Sequence, residues 1–365
     1  MGAKASVEAI DIAVTVFSSI VTILSTMTNI ALVDSSDIPD IDQIICEIIN
    51  LGESFFCGRV RGYYLVGSYA VGEAVETSDL DIVVVFKEQQ TLLEKQRFAS
   101  FKQECERYSA LAVDLIPLDE AHLFSVGGVR FQTASKLIYG EDIRFAVPKK
   151  PVEDHIRDSM FGQYRLFARL RGNPPCLTFP LDYPSPVGEF YGYDGRMMYL
   201  RDRTTQIGIK DLVINVLSPA EALILLKTGN YFGSGSWKRV CAEFYRIWIN
   251  DEWTFLVESV YEYCCKQWAY LVPESSDSRE LLRSLCQQAL GFENHFLQCY
   301  KQYVIQQLPY EKPFVQLHYV KQLGQLIYPN DDEIIAVLKQ LRHSANSELQ
   351  QALTQTLHCY GYSDI

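Results

Sequence analysis

Apolar positions recur along this chain at two different periods. Between about residue 60 and residue 146 they gather in short runs of strand length, "YYLVGS", "LDIVVVF" and "LAVDLIPL". Between the second and third runs lies "EQQTLLEKQRFASFKQECERYSA", whose sparse apolar residues suit a polar amphipathic helix. The order strand, helical turn, strand, helix, strand predicts a small mixed sheet with helices on one face. Upstream, "DIPDIDQIICEIINLG" places apolar residues at helical spacing and a Gly near its end.

Beyond residue 146 the period is helical. Pro148 and Pro151 bracket "PKKP", a natural boundary. "GNPPCLTFPLDYPSPVGEFYGYDG" (172–195) is too rich in Pro and Gly for a long element and reads as an ordered loop. Helices with clear punctuation follow. "SPAEALILLKTGN" predicts Ser218 as N-cap, Pro219 at the first helical position, Glu221 closing a capping box and Gly229 at the stop. "DSRELLRSLCQQAL" predicts the same box at Asp277 and Glu280, and "NDDEIIAVLKQL" at Asn330 and Glu333. The expected fold class is α+β: an N-terminal helical segment (1–50), a mixed-sheet core (51–147) and a C-terminal all-helical domain (148–365).

Composition narrows the partners. At 365 residues the chain is long enough for two or three domains with a sizeable core. The 48% hydrophobic and 21% charged residues are an ordinary globular balance. A net charge of −12 repels phosphate backbones, which disfavours nucleic acid as a partner and suits a cationic small substrate or a basic protein. The ten cysteines form no C-x-x-C and the six histidines no H-E-x-x-H, the pattern of a reduced, cytoplasmic protein without structural zinc.

The N-terminus has two readings. Ile12 to Val33 carries no charge and, at ~1.5 Å per residue, is long enough to span a bilayer. Its many Ser and Thr residues, and Glu8 and Asp11 before it, favour a helix packed on the main domain over membrane contact. The opening "MGAKAS" fits the M-G-x-x-x-[ST] myristoylation pattern, which short chance matches also satisfy.

The candidate chemistry sits in "LVGSYAVGEAVETSDLDIVVVF" (65–86). Asp79 and Asp81 are two apart at the entrance of a predicted strand, so both point to one face. Two carboxylates there repel each other unless a divalent cation offsets their charge, and hard oxygen ligands favour Mg²⁺ or Mn²⁺ over zinc. Asp114, inside "LAVDLIPL", offers a third carboxylate from the next strand; the competing reading pairs it with an Arg. Three such acids suffice for two metal ions. Gly67 lets backbone approach a phosphate closely, and Ser68 adds a hydroxyl donor at the start of a helical turn. Together these features describe a seat for a metal–triphosphate.

Gly67-Ser68, ten intervening residues and Asp79-Leu80-Asp81 resemble the Gly-Ser…Asp-hydrophobic-Asp signature of the DNA polymerase β-like nucleotidyltransferase superfamily. The resemblance implies transfer of a nucleoside monophosphate from a triphosphate, ATP or another, to an acceptor. It also implies two Mg²⁺ ions on three carboxylates, with Asp114 matching the third position. It covers about a quarter of the chain, and "LIYGEDIR" (137–144) resembles the stretch that ends the catalytic domain in aminoglycoside-type members. It permits a phosphate-gripping lysine from the helical domain. Lys238, beside Arg239 and after Ser236 in "GSGSWKRVCAEF", is the candidate, and Ser236 joins it as a nucleotide contact. Cations on a first helical turn oppose the helix dipole unless an anion is present; a solvated helix face explains them equally well. Tyr183, Tyr191 and Tyr193 are read as packing the long loop rather than stacking on a base.

The leading expectation is a Mg²⁺-dependent nucleotidyltransferase with a small hydroxylated, cationic acceptor of the aminoglycoside kind. The alternatives are transfer of AMP to a separate protein, as in antitoxin-like members, and a non-catalytic nucleotide-binding regulator.

Overall fold

The computed structural model describes residues 30–109, 111–201, 204–231, 236–342 and 345–362. Most of the Ile12–Val33 stretch and the "MGAKAS" start lie outside the described residues. No helix among the described residues is long and apolar enough to cross a membrane. The chain divides into two units: a sheet unit of residues up to Glu73 plus Asp79–Pro148, and a helical unit of Ala74–Ser78 plus the residues from Lys149 onward.

In the sheet unit, α1 (Pro39–Phe56) leads into β1 (Val60–Val66), the four-residue turn α2 (Gly67–Ala70), β2 (Leu80–Phe86), α3 (Leu92–Tyr108), β3 (Val113–Asp119), the short α4 (Glu120–Val126) and α5 (Val129–Thr133), and β4 (Lys136–Gly140). The sheet order is β3-β2-β1-β4. β1 pairs antiparallel with both β2 and β4, and β2 pairs parallel with β3, so the sheet is mixed as expected. Parallel strands need a crossover, and α3 supplies it. α3 begins with a complete capping box, in which Thr91 accepts from Glu94 N–H and Glu94 reaches back to Thr91 N–H. Pro117 is tolerated in β3 because that strand is an edge and spares one N–H.

Helices cover both faces of this sheet, not one. On one face Phe56 of α1 and Phe98 of α3 each pack edge-on against Phe101 of α3 and Phe86 of β2. On the other, Leu123 of α4 and Phe131 of α5 pack with Tyr64, Val83 and Val85. α4 and α5 are too short for their period to be read from sequence, so this second layer was not expected.

The helical unit contains α6 (Val152–Leu170), β5 (Leu177–Thr178), β6 (Arg196–Tyr199), β7 (Thr205–Gly208), α7 (Lys210–Thr228), α8 (Trp237–Trp248), α9 (Thr254–Ser259) continued as a π-helical turn (Val260–Gln267), α10 (Ser276–Gln307), α11 (Pro313–Gln325), β8 (Leu326–Ile327), α12 (Asp332–Arg342) and α13 (Ser347–Cys359). It is helical with two short additions, the parallel pair β5–β8 and the hairpin β6–β7. Tyr193 is fully buried, and Tyr183 stacks on Tyr191 at 4.4 Å against the same core, so the tyrosine-rich loop is packed as expected.

Three predicted helix starts move. α7 begins at Lys210 and carries Pro219 in its interior, so Ser218 caps nothing. Almost every residue of α7 from Leu212 to Leu225 is buried, and that burial outweighs the loss of one backbone hydrogen bond at a proline. Its stop at left-handed Gly229, whose N–H bonds Leu225 C=O, is as expected. α10 is capped by Ser275 rather than Asp277, and α12 by Asp331, whose carboxylate accepts from Ile334 N–H, rather than Asn330.

One buried ion pair crosses the helical core. Arg171, at the end of α6, donates to Glu293 of α10 at 2.6 Å and to the carbonyls of Asp182 and Phe167. Glu293 is fully buried; burial pushes its carboxyl up while Arg171 pulls it back. Removing one partner strands the other charge in the core. Glu293→Ala is therefore expected to lower the unfolding free energy by about 3–5 kcal/mol in urea titrations, and an Arg171→Met/Glu293→Met double substitution to regain most of it.

Candidate active site

The candidate site grows from the register of three strands. Burial alternates over Asp79, Leu80 and Asp81: Leu80 is fully buried, and the two acids flanking it are partly exposed on the opposite side. The strand begins at Leu80, whose N–H bonds Ala112 C=O at 2.8 Å, so Asp79 sits one residue ahead of the ladder. Asp81 is paired with Asp114 across the parallel β2–β3 ladder and with Val66 across the antiparallel β1–β2 ladder. Two aspartates at paired positions on adjacent strands face the same way with backbones ~4.8 Å apart. The third expected acid therefore stands directly beside the second.

Gly67 follows Val66 and lies against Asp81. Its backbone has φ of +68°, and a Cβ built there would stand 2.1 Å from Asp81 Oδ2. Any other residue would both enter the left-handed region and drive into the carboxylate. Gly67 thus terminates β1, turns the chain into α2 and leaves room for the Asp81 side chain. Ser68, next in the turn, is partly exposed, and its carbonyl accepts from Glu73 N–H at 2.9 Å.

Lys102 of α3 was not anticipated. Its ammonium donates to Asp114 Oδ1 at 2.8 Å. The competing reading of Asp114 paired it with an arginine; the cation on it here is a lysine. Lys102 lies next to the buried Phe101 on α3, and nothing in the sequence ties it to a strand residue twelve positions later.

The donor set is all carboxylate, which fits a hard cation such as Mg²⁺ or Mn²⁺ and not zinc. Among the described residues, no group of three or more His, Cys, Asp or Glu side chains is gathered closely enough to hold a metal as it stands. With Asp114 turned onto Lys102, a metal needing all three acids would have to draw Asp114 away from that lysine. Asp79, Asp81 and Asp114 remain the residues that would hold it: strand register places Asp81 and Asp114 on one side, and the alternation of burial about Leu80 puts Asp79 there too.

Ser236 and Lys238 belong to the helical unit. Ser236 is the N-cap of α8, its hydroxyl accepting from Arg239 N–H at 3.4 Å. Lys238 donates to the Tyr270 hydroxyl at 2.5 Å, with its ammonium 4.5 Å from that ring's centroid. Tyr270 and the preceding Ala269 both have left-handed backbones, φ +64° and +46°, a conformation that costs about 1–2 kcal/mol for each residue with a side chain. Such paired strain marks a segment fixed from several sides.

Gly72 provides a control for Gly67. It has φ of +71° and open space where a Cβ would go. Gly72→Ala is expected to cost only the left-handed penalty, about 1–2 kcal/mol. Gly67→Ala should cost clearly more in the same denaturation experiment, and pairing it with Asp81→Ala should bring the cost back toward that of Gly72→Ala.

Residues 45–139 match the family described as "Nucleotidyltransferase domain", a span from the middle of α1 through most of β4 that includes the Gly-Ser turn and all three acids. No curated protein matches the chain by sequence. The solved structures similar to it include a spectinomycin adenyltransferase from Enterococcus faecialis with ATP and spectinomycin, at 15% identity over 69% of this chain and 98% of that chain, with a TM-score of 0.38. A likeness that distant says nothing of this chain's substrate. Over residues 45–139 the chain carries a nucleotidyltransferase domain of the DNA polymerase β-like kind, and it is a transferase.

Proposed function

We propose that this protein moves a nucleoside monophosphate, AMP in our reading, from a nucleoside triphosphate to a hydroxyl of a small cationic acceptor of the aminoglycoside kind. The observation that carries the reading is the pairing of Asp81 with Asp114 beside a left-handed glycine whose missing side chain leaves room for the Asp81 carboxylate. The net charge of −12 supports a cationic acceptor and disfavours nucleic acid. A cytoplasmic setting, with its supply of triphosphate, belongs to the same reading.

Asp79, Asp81 and Asp114 would hold Mg²⁺, two ions in this reading, with Mn²⁺ a substitute. When bound, the metal neutralises triphosphate charge and polarises the acceptor oxygen. The exposed backbone of Gly67 admits a phosphate, and the Ser68 hydroxyl donates to one of its oxygens. Asp114, released from Lys102, takes the proton of the acceptor hydroxyl at its carboxylate. The acceptor oxygen then forms its bond to the α-phosphorus in line with the bond that breaks, and pyrophosphate leaves. Ser236 and Lys238 are the nucleotide contacts proposed for the helical unit, with Lys238 giving up its hold on Tyr270 to a phosphate oxygen.

The test is label transfer from α-³²P-ATP with Mg²⁺ and panels of aminoglycosides and proteins. The wild type is expected to label a small acceptor, and Asp81→Asn to lose at least about 10²-fold in rate, the scale of a lost charge-stabilising contact. Equal transfer by both proteins would remove the carboxylate site from the mechanism. Transfer to protein alone would favour the antitoxin-like alternative, and nucleotide binding without turnover would favour a regulator.

A further inference from the structure

Between the Gly-Ser turn and the acid pair, the chain leaves one unit and returns. Residues Ala74–Ser78 belong with the helical unit, while Glu73 before them and Asp79 after them belong with the sheet unit. Val75 packs against the helical core. Ser78 closes a tight turn on Val75, its N–H donating to Val75 C=O at 3.0 Å and its hydroxyl accepting from Val75 N–H at 2.9 Å. Thr77, 4% exposed, donates its hydroxyl to Ala269 C=O at 2.6 Å.

The acceptor is fixed. Ala269 and Tyr270 are the consecutive left-handed residues, and their neighbourhood is pinned by Tyr270 N–H on Cys264 C=O at 2.8 Å and Ile209 N–H on Tyr270 C=O at 2.8 Å. The Tyr270 hydroxyl is in turn held by Lys238. A strained segment held this firmly presents one carbonyl in one direction, and Thr77 takes it.

We propose that Thr77 is a positioning residue for Asp79: its hydroxyl, bound to Ala269 C=O, holds the turn 75–78 from which Asp79 emerges. The sheet ladder takes hold only at Leu80, so Asp79 takes its place from this turn as well. The backbone bonds of Tyr270 contribute to the same carboxylate indirectly, by fixing the segment whose carbonyl anchors Thr77. The inference rests on the reading of Asp79 as a metal ligand.

The test is Mn²⁺ binding with α,β-methylene-ATP, read from the paramagnetic resonance signal of free Mn²⁺, beside thermal melts without metal. Thr77→Val and Thr77→Ala lose the hydroxyl and are expected to bind Mn²⁺ about tenfold more weakly, while Thr77→Ser stays within about twofold of wild type. A merely structural threonine would lower the melting temperature of the Val and Ala variants and leave their Mn²⁺ affinity alone; that result overturns the proposal. Wild-type affinity in Thr77→Val, with binding lost in Asp81→Asn, overturns it too and leaves the site reading intact. Failure of the wild type to bind Mn²⁺ with the analogue removes the site reading and the proposal together.

Discussion

The contact between the Gly67 backbone and the Asp81 carboxylate is the constraint from which the site follows. A side chain at 67 would displace Oδ2 from its place, so glycine suits the turn, and its left-handed backbone directs the chain out of β1. The same strand pairing that sets Val66 against Asp81 on one side sets Asp114 against it on the other. A one-residue slip of β2 would bury Asp81 among the phenylalanines and turn Leu80 outward, so the apolar face of the strand holds the carboxylates in place. Packing, register and charge specify one arrangement.

Much of this was legible in the sequence, because it depends on short-range pattern. "LDIVVVF" is an apolar run of strand length, and the period of two that a strand imposes puts Asp79 and Asp81 on one side. The Gly-Ser dipeptide after an apolar run marks a turn, and Asp114 interrupts an otherwise apolar strand. Register could not be read: that Asp114 stands opposite Asp81, rather than one residue away, is decided by how α3 crosses over. Lys102 was invisible for the same reason. Its neighbours Phe98, Phe101 and Cys105 define the buried face of α3, and its own target depends on how that face settles.

In the helical unit the sequence misled where tertiary burial outweighs local preference. Pro219 looks like a helix start, yet it sits inside α7 because nearly every neighbour is buried. Arg171 and Glu293 are 122 positions apart and Thr77 and Ala269 are 192 apart, separations at which no periodicity speaks. These contacts tie loops to the helical core, and one of those loops runs directly into Asp79.

Crystals grown with Mn²⁺ and a non-hydrolysable ATP analogue would address the central claim most directly through the anomalous signal of the metal. The account predicts manganese within coordination distance of Asp79, Asp81 and Asp114, ~2.0–2.2 Å from their oxygens as for a hard divalent ion, with Lys102 no longer on Asp114. Manganese bound away from these three carboxylates, with the Lys102–Asp114 pair intact beside the nucleotide, would contradict it.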